Sequence, residues 1–535
     1  MYHINGDKLR VVGSHCPSPE FPLRYRSSGS TFAFAVLAFG LLAACGAASG
    51  DATVEDPLAA AVDARAAAGR VRLTLEQAIT MARTQSPAAL TAVHRYRASY
   101  WQFVTFKADY HPSLDLDTAP VSWDRTIAQQ TLPSGADAFV PRSQANSTAN
   151  LSLSKVLTRT GGRISLQSQL ARTAPLEGTG GLQYLSAPVT VSLSQPLFAF
   201  NPYSWSLKTE PRRYAEAGQE FVEELESISS TAISYFFDFL SAQSALRDAE
   251  SEKAQADTLY AEARRRFKNR RTPESDVLQA ELASLNADLR LTRARVEASV
   301  QQQRLATYLG VGEVPAIDLA PVVDGPVASV DLGTAVREAR RNRPQAMSFD
   351  RQLIEADRSV AEARSSRGTT WFNASYGLSR SSDRWDEVYR QPTVDQRAQI
   401  SIHTPILDWG RSRARVAVAE SEREVTRRQV ERARADFDRD VFLRVSQFEI
   451  QAQQLRLAAH ADSVAERRHR LTRETYLAGA GDLNSINFAQ SEKESARRVY
   501  LDAIRNYWSS YYDVRRATLY DFERGRPLQP PDVVF

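Results

Sequence analysis

Cysteine is nearly absent from this chain: two in 535 residues, Cys16 and Cys45, both near the start. No disulfide framework is therefore available to hold a fold together. No run of about 20 apolar residues follows the N-terminal segment, which excludes a helical membrane span of the usual kind. A membrane crossing by this chain requires strands. Neither sign of charge prevails, with 67 basic against 63 acidic residues. The two signs are mixed along the helical stretches, so no basic face is gathered for nucleic acid. Glycine and proline are missing from 411–478, and from 207–267 apart from Pro211 and Gly218. Uninterrupted helices over such spans extend roughly 90–100 Å, about three times the hydrocarbon thickness of a bilayer, and they are far too charged to sit in lipid.

Recognisable catalytic chemistry is missing as well. Seven histidines are scattered along the chain, none at a metal-ligand spacing. His460 and His469 lie on one long helix, as on a solvated face, and His403 sits at the exit of a strand segment. Gly178-Thr-Gly-Gly181 lacks the lysine and helix start of a phosphate-binding loop. No Ser-His-Asp or Cys-His set emerges. The expectation is a protein that is not an enzyme and carries neither metal nor cofactor.

The N-terminus reads as an address. Arg24 and Arg26 precede an apolar stretch, 31–44, that ends in small residues, the order of a secretory signal. Residues 1–44 are expected to be that signal; the part before Arg24 is long for one, and a start codon set too early accounts for the excess. Leu42-Ala-Ala-Cys45 resembles a bacterial lipobox, in which cleavage leaves a lipid-modified Cys45. The alternative is an ordinary signal with a chance cysteine. Gly46, where an aspartate would retain enterobacterial lipoproteins at the inner membrane, suggests sorting to the outer one. Residues 45–70, rich in Ala, Gly and Asp, are expected to form a flexible tether.

Beyond the tether the chain is built twice, and an internal repeat decides the fold. Residues 73–87 (LTLEQAITMARTQSP) align without gaps with 330–344 (VDLGTAVREARRNRP), and the segments 194–201 and 403–410 match around Pro196 and Pro405. The division is a first repeat over 71–325, a second over 326–522 and a tail over 523–535. Six stretches alternate apolar with polar or small residues: 114–116, 151–156, 164–166, 189–193, 372–378 and 400–402. Such alternation gives a strand one apolar face, and a transmembrane barrel uses lipid as the apolar partner. One chain has too few strands to close a wide barrel, so several chains must contribute. Each long helix turns and returns, over about 273–309 and 483–518. Leu278, Leu282, Leu285, Leu289, Thr292 and Val296 make a heptad-like seam, flanked by Ala280, Ala283, Ala287, Ala294 and Ala298. A cytoskeletal rod would share that seam but not the signal or the strands. Two coiled hairpins joined to strands suggest staves of a hollow cylinder.

Over about 73–519 these features resemble the TolC-like outer membrane factors, the outer membrane efflux proteins. The specific pieces are the strand exits at Pro196 and Pro405 and two helix-turn-helix tips, 266–280 and 476–489. The second tip carries Tyr476-x-x-Gly479, then polar and aliphatic residues, then an alanine-bearing helix. The resemblance implies a mainly α protein with a membrane β-barrel and long antiparallel coiled-coil hairpins. It implies a homotrimer in which each protomer gives four strands to a shared twelve-stranded barrel in outer-membrane lipid. Twelve long helices would continue as a periplasmic tunnel. Their tips would meet a periplasmic adaptor (membrane fusion) protein joined to an inner-membrane RND, ABC or MFS transporter. The implied function is the export duct of a tripartite efflux system. The alternatives are the outer-membrane component of type I protein secretion and, in another class, a periplasmic coiled-coil structural or adaptor protein. Lys268, Asn269, Arg270, Arg271, Asp276 and Gly479 are the candidate adaptor contacts; Asp482, Asn484, Ser485 and Asn487 are candidates for the aperture.

Three departures matter. Arg270 stands where the family usually has a turn glycine, beside Lys268 and Arg271, so the chemistry offered to an adaptor differs. The aspartates that ring the tunnel mouth in some relatives are missing, with Ser485 and Phe488 at the matching positions. The first half also carries an extra pair, 151–156 and 164–166 around Gly161-Gly162. That pair either lengthens an external loop or widens the barrel; with no counterpart in the second half, the loop is the expectation.

Overall fold

Each half folds as a short strand, two short helices, a set of long strands and a long helical hairpin. The computed structural model describes residues 71–131, 135–176, 181–197, 199–269, 273–311, 317–320, 329–477 and 483–530, all within Ala61–Phe535. The first half runs β1 (Val71–Leu73), α1 (Leu75–Thr84), α2 (Pro87–Ala108), β2 (Ser113–Thr131), β3 (Asp137–Leu157), β4 (Gly162–Pro175), β5 (Gln183–Leu197), α3 (Pro202–Lys268) and α4 (Glu274–Leu309). The second runs β6 (Ile317–Leu319), α5 (Leu332–Asn342), α6 (Pro344–Ser365), β7 (Thr369–Ser382), β8 (Thr393–His403), α7 (Arg411–Leu477) and α8 (Leu483–Thr518), followed by the short pair β9 (Tyr520–Asp521) and β10 (Arg526–Pro527).

The aligned openings fold alike for the same reasons. Thr74 caps α1 in a capping box with Gln77, and Asp331 caps α5 by accepting from the Thr334 N–H at 2.8 Å. Pro87 and Pro344 then occupy the first turns of α2 and α6, where a missing N–H costs nothing. The parallel pair β1–β6 ties the two openings together. α4 ends at Gly310, whose backbone is left-handed (φ 78°); a Cβ there would lie 2.8 Å from the Gln85 carbonyl oxygen. The long helices fill the spans that lack glycine and proline, with Pro211 and Gly218 inside α3, and the return helices occupy the expected ranges, from Glu274 and from Leu483.

The strands differ from expectation. One antiparallel six-stranded sheet runs β2-β3-β4-β5-β7-β8, and the six alternating stretches fall one in each strand. The pair 151–156 and 164–166 is therefore not an external loop: β3 and β4 lie inside the sheet between β2 and β5, and the chain gives six strands where the resemblance implied four. The reason is length. β3 spans 21 residues and β4 spans 14, and both pair along nearly their whole course. Register lines up rows across all six strands. Leu114, Leu153, Leu166, Val191, Tyr376 and Gln396 face one side; Ser113, Ser154, Ser165, Ser192, Ser375 and Arg397 face the other.

The helices form a layer in the order α4–α3–α8–α7, with α2 and α6 packed on α3 and α7. The main core sits where these meet: Phe221, Ile233, Phe236, Leu305, Val441, Phe448, Tyr511 and Val514 are buried together. The leucine seam of α4 faces away from its hairpin partner. Ser284, Ala287, Leu291 and Ala298 are the buried positions against α3, while Leu278, Leu282, Leu285 and Leu289 stay exposed. The small side chains make the hairpin contact because they let two backbones approach.

Ion pairs join the layers. Arg343, at the start of α6, reaches Glu223 of α3 at 3.5 Å and Asp440 of α7 at 3.2 Å. Burial by itself would raise the Asp440 carboxyl, but Arg444 and Arg343 outweigh it and hold the group below the usual carboxylate range. A depressed folded-state pKa adds stability above the unfolded value, about 4 for aspartate, and that contribution is lost as pH falls through the folded value. Asp440→Asn should therefore flatten the acid limb of unfolding midpoint against pH, between roughly pH 2 and 5. Parallel curves for the two proteins would rule out Asp440 as the linked group.

Candidate functional site

The hairpin tips and the open edges of both layers are the features of this chain that invite partners. At the first tip, α3 ends at Lys268, and the Asn269 N–H closes it by donating to the Arg265 carbonyl at 3.3 Å. Arg265, Arg266 and Lys268 lie in the last turn of α3, and Glu274 and Asp276 in the first turn of α4. Each set has the sign that its helix end favours, which accounts for part of this charge without any partner. Glu262 bridges Arg266 at 2.9 Å and Arg265 at 2.6 Å, and these bonds hold its carboxyl below its usual range.

At the second tip, Asn484, Ser485 and Asn487 belong to the start of α8, and Ser485 is exposed. Phe488 is exposed beneath the Arg468 guanidinium, 5.4 Å from its ring centre, and Arg468 also pairs with Glu492. This clasp between α7 and α8 has no signature in the sequence beyond the residue types. Cys45, Arg270, Arg271, Gly479 and Asp482 lie outside the described residues, so the tips are placed by their flanks. His403 is exposed at the end of β8; His469 is half-buried instead of solvated, and burial, then Lys493 and Arg473, push its pKa down. Among the described residues no group of three or more His, Cys, Asp and Glu side chains is placed to hold a metal ion. No described helix is long and apolar enough to cross a membrane.

Ion pairs brace each hairpin near its tip but join the two hairpins only farther back. Arg290–Glu252 holds α4 to α3, and Arg497–Asp462 at 3.1 Å holds α8 to α7. Among the described residues, the ion pair between α3 and α8 that lies nearest the tips is Arg505–Asp238, at 2.7 Å. Each hairpin is thus braced as a body that ends well beyond its last ionic tie to the other.

The edges are bare in both layers. Among the described residues, β2 and β8 end the sheet without a further strand partner, and α4 and α7 end the helix layer. α4 presents Leu278, Leu282, Leu285 and Leu289; α7 presents Leu443, Ile450, Leu457, Val464 and Leu471, one every seven residues, with Leu457 72% exposed. The sheet's apolar face is exposed along its width, from Leu114, Trp123 and Phe139 to Tyr376, Val394 and Ile400. Apolar surface on this scale calls for a partner or for lipid.

No protein-family model and no curated relative matches the sequence. Solved structures do. The CmeC outer membrane channel of Campylobacter jejuni superposes with a TM-score of 0.60 at 13% identity, over 85% of this chain and 86% of that one. A membrane protein from Pseudomonas aeruginosa gives 0.60 at 14% identity, over 86% and 94%. The MtrE outer membrane channel of Neisseria gonorrhoeae gives 0.55 at 16% identity, over 85% and 90%. At these identities the likeness speaks of architecture, and the architecture is the one the sequence resembles: the chain has the fold of the TolC-like outer-membrane channel proteins.

Proposed function

We propose that this chain is one stave of an outer-membrane export duct, a passive homotrimeric channel-tunnel coupled through a periplasmic adaptor to an inner-membrane pump. The supporting observation is that sheet and helix layer are both open, each with two different bare edges. Different edges make a heterologous contact, which closes into a ring where the rotation from copy to copy closes, as a threefold duct requires. α4 of one copy would meet α7 of the next, while the sheets join with their apolar face to lipid and their serine rows to the lumen. Residues 1–44 serve as the signal and 45–70 as the tether, anchored by lipid on Cys45. The basic end of α3 and Asp276 at the start of α4 are the surface offered to the adaptor. Asp482, Asn484, Ser485 and Asn487 line the aperture.

Protein extracted from outer membranes in detergent should image as a threefold hollow particle with a helical tunnel of roughly 100 Å. A solid rod or a monomer would sink this reading. Opening occurs by movement of the braced hairpins at the tips, where packed coiled coils have two arrangements that an adaptor can bias. Asn269→Cys combined with Asn484→Cys should lock the tips when oxidised, abolishing export in cells and restoring it on reduction. A verified crosslink that leaves export unchanged would refute tip opening.

A further inference from the structure

β3 and β4 give the first half two more strands than the second, and the duct as proposed assigns them no role. We propose that they are barrel wall, so that three copies close an eighteen-stranded barrel with β8 of one copy paired to β2 of the next. This deepens the threefold duct reading and rests on it.

The faces of the hairpin are in phase with the rest of the sheet. Leu153 and Leu166 continue the apolar row between Leu114 and Val191, and Ser154 and Ser165 continue the serine row between Ser113 and Ser192. A flap lying in water or over the lumen would have no use for a lipid-facing side. The β3–β4 turn also lies at the helix end of the sheet, opposite the other hairpin loops, and it is clamped there. Thr160 donates through Oγ1 to Gln195 Oε1 at 2.7 Å, and Gln195 Nε2 donates back to the Thr160 carbonyl at 2.9 Å. Asn201 donates to the Thr158 carbonyl at 2.8 Å while its Oδ1 accepts the Tyr203 and Ser204 N–H groups that open α3. Gly161 takes the left-handed conformation (φ 78°) that this turn needs, and a Cβ on Gly162 would meet Gln195 Oε1 at 2.3 Å. The residue that caps the tunnel helix thus also fixes the extra hairpin.

Parity allows closure. All five neighbouring pairs in the sheet are antiparallel, so β2 and β8 run in opposite directions. β8 of one copy therefore meets β2 of the next antiparallel, like every other pair. Edges of 19 and 11 residues cannot be left unpaired in lipid. With strands about 4.8 Å apart and tilted about 40°, eighteen strands enclose a cylinder roughly 36 Å across between backbones, against roughly 24 Å for twelve. That is the range of barrels with an open aqueous channel. The outer exit is then not the narrow point, and size restriction falls on the helical part.

The test is electron microscopy of the full-length trimer in lipid nanodiscs, at a resolution that counts strands. Eighteen strands in a threefold particle is the expected result. A threefold particle with twelve strands, and β3–β4 folded away, overturns the wide barrel but leaves the duct. Absence of a threefold hollow particle overturns the duct reading and this inference with it. A second measurement does not depend on particle symmetry: spin labels on Leu153→Cys, Leu166→Cys, Ser154→Cys and Ser165→Cys in reconstituted protein. The first two should relax with oxygen and the last two with a water-soluble nickel chelate. Equal access of the chelate to all four would place the hairpin outside the wall.

Discussion

Arg515→Met should destabilise the folded protein by about 3–5 kcal/mol, the range for removing one partner of a buried ion pair. Arg515 lies on α8 and bonds Glu226 of α3 through Nε at 3.1 Å and Nη2 at 3.3 Å; Asp521 of β9 lies 3.5 Å from its Nη1. Arg83 of α1 approaches the same Glu226 at 3.0 Å. The rings of Tyr512 and Tyr511 stand 5.0 and 5.8 Å from the guanidinium. Burial opposes the charge on Arg515, but Glu226, Tyr512 and Asp521 more than offset it and push its pKa up. Glu226 is fully buried, so losing Arg515 leaves a carboxylate with Arg83 as its remaining ionic partner. Glu226→Gln should cost less, because Arg515 keeps Asp521. The double variant Arg515→Met with Glu226→Gln should recover much of the loss, since the carboxylate that Arg515 neutralised is gone and Asp521 keeps the Glu523 and Arg524 N–H groups. Thermal unfolding followed by helical circular dichroism checks the order. A double variant as unstable as the sum of the singles would mean that the two residues act independently.

That lock was hard to see beforehand because its partners are 289 residues apart. A local signal exists all the same. Val222, Leu225, Ser229, Ile233 and Phe236 recur at helical spacing, and Glu226 falls on the same stripe; Arg515 falls likewise on the stripe of Ile504, Trp508 and Tyr511. A charge set inside an apolar stripe must be paired, which marks both residues without saying that they pair with each other.

The long helices were legible because missing glycine and proline bear directly on helix continuity. The caps Thr74, Ser86 and Asp331 were not singled out, although each acts on backbone only three residues away. Six alternating stretches marked six strands, yet the second and third were expected in a loop because the second half has no equivalent. Alternation tells which residues share a face and is silent on which strands are neighbours. Pairing of β3 and β4, and the Gln195 and Asn201 clamp, belong to tertiary structure. The α4 seam poses the same problem on a helix. Heptad spacing revealed a leucine stripe, but it could not say that alanines take the intrachain contact and leave the leucines outward. Of the candidate aperture and tip residues, those described fall at the ends of the helices that the sequence marked; the Arg468–Phe488–Glu492 clasp needs two helices brought side by side.

The outward stripe carries the second large effect. If the proposed trimer closes through α4 and α7, Leu285→Glu with Leu289→Glu should abolish assembly while leaving the fold of each chain intact, because both side chains are 58% exposed in the single chain. Fully burying an exposed leucine stabilises a contact by about 1.5–3 kcal/mol; with 58% of each still to be buried, two leucines at three equivalent contacts represent roughly 5–10 kcal/mol for the proposed ring. The added carboxylates would also have to lose water against an apolar partner. Light scattering in detergent should fall from the mass of three chains to that of one, with unchanged helix content. Leu457→Glu on α7 should act in the same direction, as the other side of the same contact. Ser284→Glu serves as the contrast. Its side chain is buried inside the hairpin, so it should lower the unfolding temperature of the chain itself. Trimers that persist, with undiminished thermal resistance, in both leucine variants would show that these stripes do not meet. The proposed ring would then have to close by some other face.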